Sequence, residues 1–244
     1  MGRFETAAEF YAHREPYPPE LFAELARRLP LSGDERLLDA GCGPAPVAIG
    51  FAPHVGEVVG LDPEDAMLAV AREEIARAAA RVRLVKGRLE DFTERDFDLV
   101  TIGRGLHWLD RDGALASLDR ITTPRAAIMV VGSFTAKDGN PWLEAHRATW
   151  LAFTTEPLER YRVDLPAWFE GSRFHFAFEV RVRARHSLTI DAMIARSLSY
   201  SVTSPAVLGN RRAEFERAIA DTLRPFAVDG VLQEEVEGTA SVFR

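Results

Sequence analysis

The stretch Leu37-Leu-Asp-Ala-Gly-Cys-Gly-Pro-Ala45 is a short apolar run that closes on an acid and a glycine turn. Leu37 to Ala40 reads as a buried strand. Gly41 and Gly43 allow a tight turn and a close backbone approach to a ligand. A helix is predicted over Pro46 to His54, with Pro46 in its first turn, where a missing N–H costs nothing. Strand, glycine turn and helix in that order aim backbone N–H groups beyond the strand end. Glu57-Val-Val-Gly-Leu-Asp62 repeats the pattern of an apolar run ending in an acid. Asp62 follows the loop at about twenty residues, the spacing of a carboxylate that takes ribose hydroxyls.

The same rhythm continues outward. Strands are predicted at Arg83 to Lys86, Phe97 to Ile102 and Ala126 to Val131. Helices are predicted from Pro63 to Ala80, with Asp62 as N-cap, and over 111–121. Near-continuous apolar strands alternating with helices define an α/β fold, a parallel sheet covered on both faces. Ligands of such sheets sit beyond the carboxyl ends of the strands. After Val131 the pattern changes. Residues 137–172 read as irregular or helical. Phe174 to His186 alternates as an antiparallel strand. Helices follow near Ile190 to Tyr200 and Arg211 to Leu223, and a last strand near Glu237 to Phe243. Residues 1–32 are expected to supply one or two helices across the ligand edge.

Composition narrows the partners. The chain has 244 residues, a net charge of −7 and 47% hydrophobic residues. That balance argues against nucleic acid, whose binders gain affinity by placing basic groups on phosphates. The arginines at 181, 183, 185, 211 and 212 are the counter-signal. No apolar run is long enough to span a bilayer, and the first residues lack the layout of a secretory signal. A cytoplasmic protein with no membrane partner is expected. Cys42 is the single cysteine, which excludes an intramolecular disulfide and a cysteine-built metal site. No His/Asp/Glu cluster has ligand spacing, so no metal is expected.

The loop also discriminates among nucleotides. A dinucleotide fold wants a third glycine where this chain has Pro46, and a P-loop wants Gly-Lys-Ser/Thr, which is missing. Acid-x-Gly-x-Gly suits a ligand without phosphate. Asp39 would repel a pyrophosphate and tolerate an ammonium group.

Asp39-Ala-Gly-Cys-Gly-Pro-Ala45 resembles motif I of the class I S-adenosylmethionine-dependent methyltransferases. Gly87-Arg-Leu-Glu-Asp-Phe92 resembles their motif after the third strand. Residues 97–110, from Phe97-Asp-Leu-Val through Gly103-Arg104-Gly105-Leu106-His107-Trp108, resemble the fourth-strand segment of small-molecule members similar to trans-aconitate methyltransferase. Tyr11 to Pro18 resembles their N-terminal lid. The resemblance implies a Rossmann-like, doubly wound sheet of seven strands, mostly parallel with an antiparallel final strand. It implies a lid over 1–32, a cofactor-binding core over 33–135, and a substrate-covering segment with the last two strands over 136–244, all one structural domain.

The resemblance also implies residue roles. Gly41 and Gly43 would pass the methionine part of S-adenosylmethionine, with Asp39 near its amino group. Asp62 would hold the ribose, Pro63 and Met67 would flank the adenine, and Leu89 and Glu90 would edge it. Gly103 would offer its carbonyl to the ammonium. His107 is the candidate catalytic group and Arg104 a candidate substrate contact, with Tyr11, Arg14, Tyr17 and Trp108 expected at the substrate. Ala45 replaces the usual third loop glycine, and Arg88 and Arg104 depart from the residues common at their positions. The implied reaction is in-line methyl transfer to an oxygen or nitrogen of a small molecule, leaving S-adenosylhomocysteine, by a monomer or homodimer. An RNA or protein methyltransferase stays open, as does a fold that binds the cofactor without transferring its methyl group.

Overall fold

The computed structural model describes residues 8–154 and 163–244. A seven-stranded sheet runs through them. Its strands are β1 (Arg36–Ala40), β2 (Glu57–Asp62), β3 (Arg83–Lys86), β4 (Phe97–Gly103), β5 (Thr122–Thr135), β6 (Phe176–Thr189) and β7 (Val231–Phe243). The spatial order is β3-β2-β1-β4-β5-β7-β6, and β1 to β5 pair in parallel. β7 runs antiparallel to β6. Arg183 meets Glu237, Arg185 meets Glu235 and Ser187 meets Gln233, and at the other end His175 exchanges backbone bonds with Arg244. This is the expected sheet with its antiparallel final strand.

The helices are α1 (Pro19–Arg28), α2 (Pro46–Phe51), α3 (Asp65–Arg77), α4 (Arg111–Ile121), α5 (Leu143–Leu151), α6 (Leu165–Phe169), α7 (Ile190–Leu198), α8 (Pro205–Leu208) and α9 (Arg212–Leu223). α3 starts three residues after the expected cap. Asp62 is still strand, paired with Lys86, and its Oδ1 accepts the Glu64 N–H at 2.9 Å instead of capping a helix.

The described residues form two compact units. One holds 17–132, 163–182 and 238–244; the other holds 8–16, 133–154 and 183–237. In the first, one core packs Leu37, Val58, Leu99 and Met129 with α1 and α2, and a second packs Leu38, Val59, Val100 and Ile128 with α4. Alternate residues of one strand thus serve the two faces, as a doubly covered sheet requires. α1 buries Leu21, Phe22 and Leu25 in the first core, with Phe22 edge-on to Phe51 at 5.2 Å. Each such fully buried side chain contributes about 1.5–3 kcal/mol.

The second unit has its own core of Trp142, Met193, Phe215, Ile219 and Leu232. Here β7 begins six residues earlier than the expected Glu237. Leu232, Glu234 and Val236 form its inward face, and Glu234, 1% exposed, hides the apolar alternation from the sequence. Arg196, 2% exposed, donates to both Glu234 oxygens at 2.7 and 2.9 Å. A charge buried without such a partner would cost several kcal/mol.

Candidate cofactor-binding site

The glycine turn leaves β1 between β2 and β4. Gly41 and Cys42 both donate their N–H to the Leu61 carbonyl, at 2.8 and 3.0 Å, which folds the turn over the end of β2. Gly41 and Gly43 take φ of +70° and +54°, the left-handed region where a side chain is strained. Nothing lies within 4 Å of where a Cβ would stand at either glycine. Conformation therefore requires them, and their outer side is open to a ligand. Ala45 adopts the same region with φ of +66°, at a cost of about 1–2 kcal/mol. It is fully buried against α2, which holds it there.

Asp62 locks the turn. Its Oδ2 accepts the Gly43 N–H at 2.8 Å while its Oδ1 takes Glu64, and it is 6% exposed. Burial raises its pKa against the opposing effect of the Glu64 and Gly43 N–H groups. Asp39 lies deeper, at 1% exposure. Thr101 donates its hydroxyl to Oδ1 at 2.8 Å and Ala48 its N–H to Oδ2 at 3.1 Å. Burial pushes this carboxyl up to about 7 despite both bonds. Asp39 therefore ties β1 to β4 and to the first turn of α2. It would act on a ligand ammonium through its charge.

The residues expected to flank the adenine differ in burial. Met67 and Leu89 are 4% and 3% exposed, and Pro63 is exposed. Glu90 Oε1 is buried with no hydrogen-bond partner, although Oε2 lies 3.4 Å from Arg88 Nε. A buried acceptor without a donor is costly, and an incoming N–H or O–H donor relieves it.

At the end of β4, a Cβ on Gly103 would stand 3.1 Å from Val47 Cγ2 and 3.3 Å from the Tyr17 hydroxyl. Arg104 follows with φ of +54° and its guanidinium carbon 4.7 Å from the Tyr17 ring centroid. Leu106 anchors the short turn Leu106–Trp108 at 4% exposure. That turn holds the His107 and Trp108 rings 4.8 Å apart, with Trp108 43% exposed.

Tyr11 and Arg14 belong to the other unit. The Arg14 guanidinium carbon lies 5.0 Å from the Tyr11 ring and 4.6 Å from the Tyr200 ring, and Nη2 donates to the Ser199 carbonyl. Tyr200 donates to Glu15 at 3.2 Å. Tyr17 falls in the glycine-loop unit.

Sequence reasoning passed over Thr101. Thr101 had a visible signal, a lone hydroxyl in the apolar strand Phe-Asp-Leu-Val-Thr-Ile and in register with Asp39. Among the described residues no three His, Cys, Asp or Glu side chains gather as a metal site requires, and no helix is long and apolar enough to cross a membrane.

Residues 37–125, which carry the loop, Asp62, Glu90, Gly103 and His107, match the family described as a methyltransferase domain. The chain is 30% identical to a malonyl-[acyl-carrier protein] O-methyltransferase of Enterobacter lignolyticus, over 72% of this chain and 69% of that protein. It is 36% identical to a demethylmenaquinone methyltransferase of Lactiplantibacillus plantarum, over 41% of this chain and 45% of that one. The chain spans less than half the length of the first curated relatives it matches. A solved structure from Anaeromyxobacter dehalogenans, assigned to the type II methyltransferases, superposes with a TM-score of 0.69 at 20% identity, over 94% of this chain and 96% of that one. At that identity the likeness shows the fold.

Proposed function

This chain belongs to the class I S-adenosylmethionine-dependent methyltransferase family, and we propose that it methylates an oxygen or nitrogen of a small molecule. The observation that carries the reading is the open glycine turn clamped by Asp62, with the buried, partnerless Glu90 oxygen at the end of β3. That set suits a ribose and a nitrogen-rich base with no phosphate. Gly41 and Gly43 would hold the methionine part of S-adenosylmethionine, Asp62 the ribose, and Pro63, Met67, Leu89 and Glu90 the adenine. Asp39 and the Gly103 carbonyl would favour its ammonium group. When bound, the cofactor supplies a methyl group already activated by a positive sulfur. The chain's own task is then alignment and exclusion of water.

His107 and Trp108 stand just beyond β4 and are the residues we assign to the acceptor, with Arg104 and Tyr17. A histidine can take the proton that an acceptor hydroxyl or amine must lose. The arginines that kept an RNA acceptor open do not form a free basic patch. Arg183 bonds Glu237, and Arg185 bonds Glu235. That favours a small molecule.

Calorimetry with S-adenosylhomocysteine tests the cofactor reading. A hydrogen bond to a charged group contributes about 1.5–3 kcal/mol, so Asp62→Ala is expected to weaken binding about tenfold to a hundredfold. Equal affinity in the variant would remove the ribose role. For His107, the expected result of His107→Gln is a lower kcat and a lost acid limb in the pH–rate profile. An unchanged profile would take it out of proton transfer.

A further inference from the structure

An aromatic groove lies in the glycine-loop unit, away from the glycine turn. Its volume is about 620 Å³, within the range of small-ligand sites. Phe169, Phe174 and Phe243 form the floor, each 3% exposed or less. Phe169 stacks on Phe243 at 3.9 Å, and Phe176 meets Phe243 edge-on at 5.8 Å. Phe176 is 58% exposed at the start of β6, the outermost strand.

The position follows from Arg173, which donates to the Thr122 hydroxyl and the Thr123 carbonyl at the start of β5. The groove therefore sits at the amino-terminal edge of the parallel strands. The glycine turn sits at their carboxyl edge. Nothing in the methyl-transfer reading uses this groove.

Its polar lining is two carboxylates and the His175 imidazole. Asp164 and Glu170 both line it and both are exposed. One Asp164 oxygen accepts the Ala167 N–H at 3.3 Å. The nearby arginines are occupied. Arg173 lies over the Phe174 ring at 4.4 Å and bonds Asp119. Arg111 bonds the Trp168 carbonyl at 2.9 Å, the Glu170 carbonyl, and the Asp112 carboxylate at 2.8 Å. The exposed Phe176 ring beside two carboxylates attracts a positive charge twice, through its face and through the acids.

We propose that this groove binds a small hydrophobic ammonium compound, its apolar body on Phe176 and Phe243 and its cation toward Asp164 and Glu170. The inference is independent of the acceptor assignment.

The test titrates the full chain by NMR with 3-phenylpropylammonium and, separately, with 3-phenylpropionate, which has a similar body and the opposite charge. Saturable binding of the ammonium is expected, with the carboxylate at least about tenfold weaker. Phe176→Ala and Glu170→Gln should each weaken the ammonium about threefold to tenfold, and saturating S-adenosylhomocysteine should leave its affinity unchanged. Phe176 is exposed enough that its truncation leaves the core intact. No saturable binding, equal binding of the carboxylate, or indifference to both variants would overturn the proposal. So would displacement by S-adenosylhomocysteine, which would put the probe in the cofactor site. A dimer that Phe176→Ala converts to monomer in sedimentation would also overturn it, by assigning the patch to contact between copies.

Discussion

Asp39 and Asp62 look alike in the sequence, each the acid at the end of an apolar strand. The structure separates them. Asp62 closes on the loop's own N–H group, whereas Asp39 is sealed beneath the loop by Thr101 and Ala48. Burial makes the charged form of Asp39 costly, so its pKa is about 7 instead of the usual 3.8. A raised carboxyl binds a proton more readily in the folded chain than in the unfolded one. Its contribution to stability is then complete below pH 3.8 and fades as pH rises toward 7. Asparagine can accept the Ala48 N–H through its Oδ1 and donate its Nδ2 to the Thr101 hydroxyl, and it does not titrate. Asp39→Asn should therefore gain on the parent protein as pH rises from 4 to 8, by several degrees in Tm. Thermal melts across that range check it, and a constant difference would show that Asp39 is charged throughout. Both acids were legible as strand-end carboxylates beside the glycine turn. Their division of labour was not, because it depends on Thr101 from a strand more than sixty residues away in sequence.

At the scale of elements, α1 and α2 show what pattern reading catches and what it leaves. The first residues were expected to lie over the ligand edge, and α2 was expected from Pro46. The structure presses Phe22 of α1 against Gly50 of α2. A Cβ at Gly50 would stand 2.3 Å from Phe22 Cε2. Gly50 is helical, so its role is to let two helices approach. Gly50→Ala should lower stability by about 1–3 kcal/mol through overpacking, in spite of alanine's better helix propensity. Urea unfolding measures it, and a stabilised variant would mean that Phe22 swings aside without cost. The first four parallel strands were legible nearly to the residue, whereas β5 runs four residues past the expected Ala126–Val131 at each end. Their local pattern and their tertiary burial agree, since strands covered on both faces are apolar throughout.

At the scale of the molecule, the chain carries a second buried polar set in the unit without the glycine loop. His146 is 3% exposed, and its Nε2 lies 2.8 Å from the Ser197 hydroxyl, which itself donates to the Met193 carbonyl. The ring therefore donates through Nε2. Burial, with help from Arg196, pushes its pKa down to about 4, and Glu15 opposes this only weakly. A histidine with a depressed pKa contributes stability that is present above pH 6.5 and lost as pH falls toward 4. The loss should reach about 3 kcal/mol at the acid end. His146→Gln keeps a donor and does not titrate, so its melting temperature should fall less than the parent's between pH 6.5 and 4. Parallel acid limbs would refute the assignment.

The sequence by itself determined the parallel sheet, the glycine turn and Asp62, because each rests on contacts among neighbours or on runs that are apolar on both faces. Only the tertiary structure decided that β7 starts at Val231, that Glu234 and Arg196 share a buried ion pair, and that Arg14 stacks on Tyr11 and Tyr200. A buried charge reads as a surface residue until its partner is known. That partner lies 38 residues away for Glu234, and an aromatic partner of Arg14 lies in a helix-to-helix turn near the other end of the chain. Desolvation makes those pairings obligatory, and no local pattern announces them.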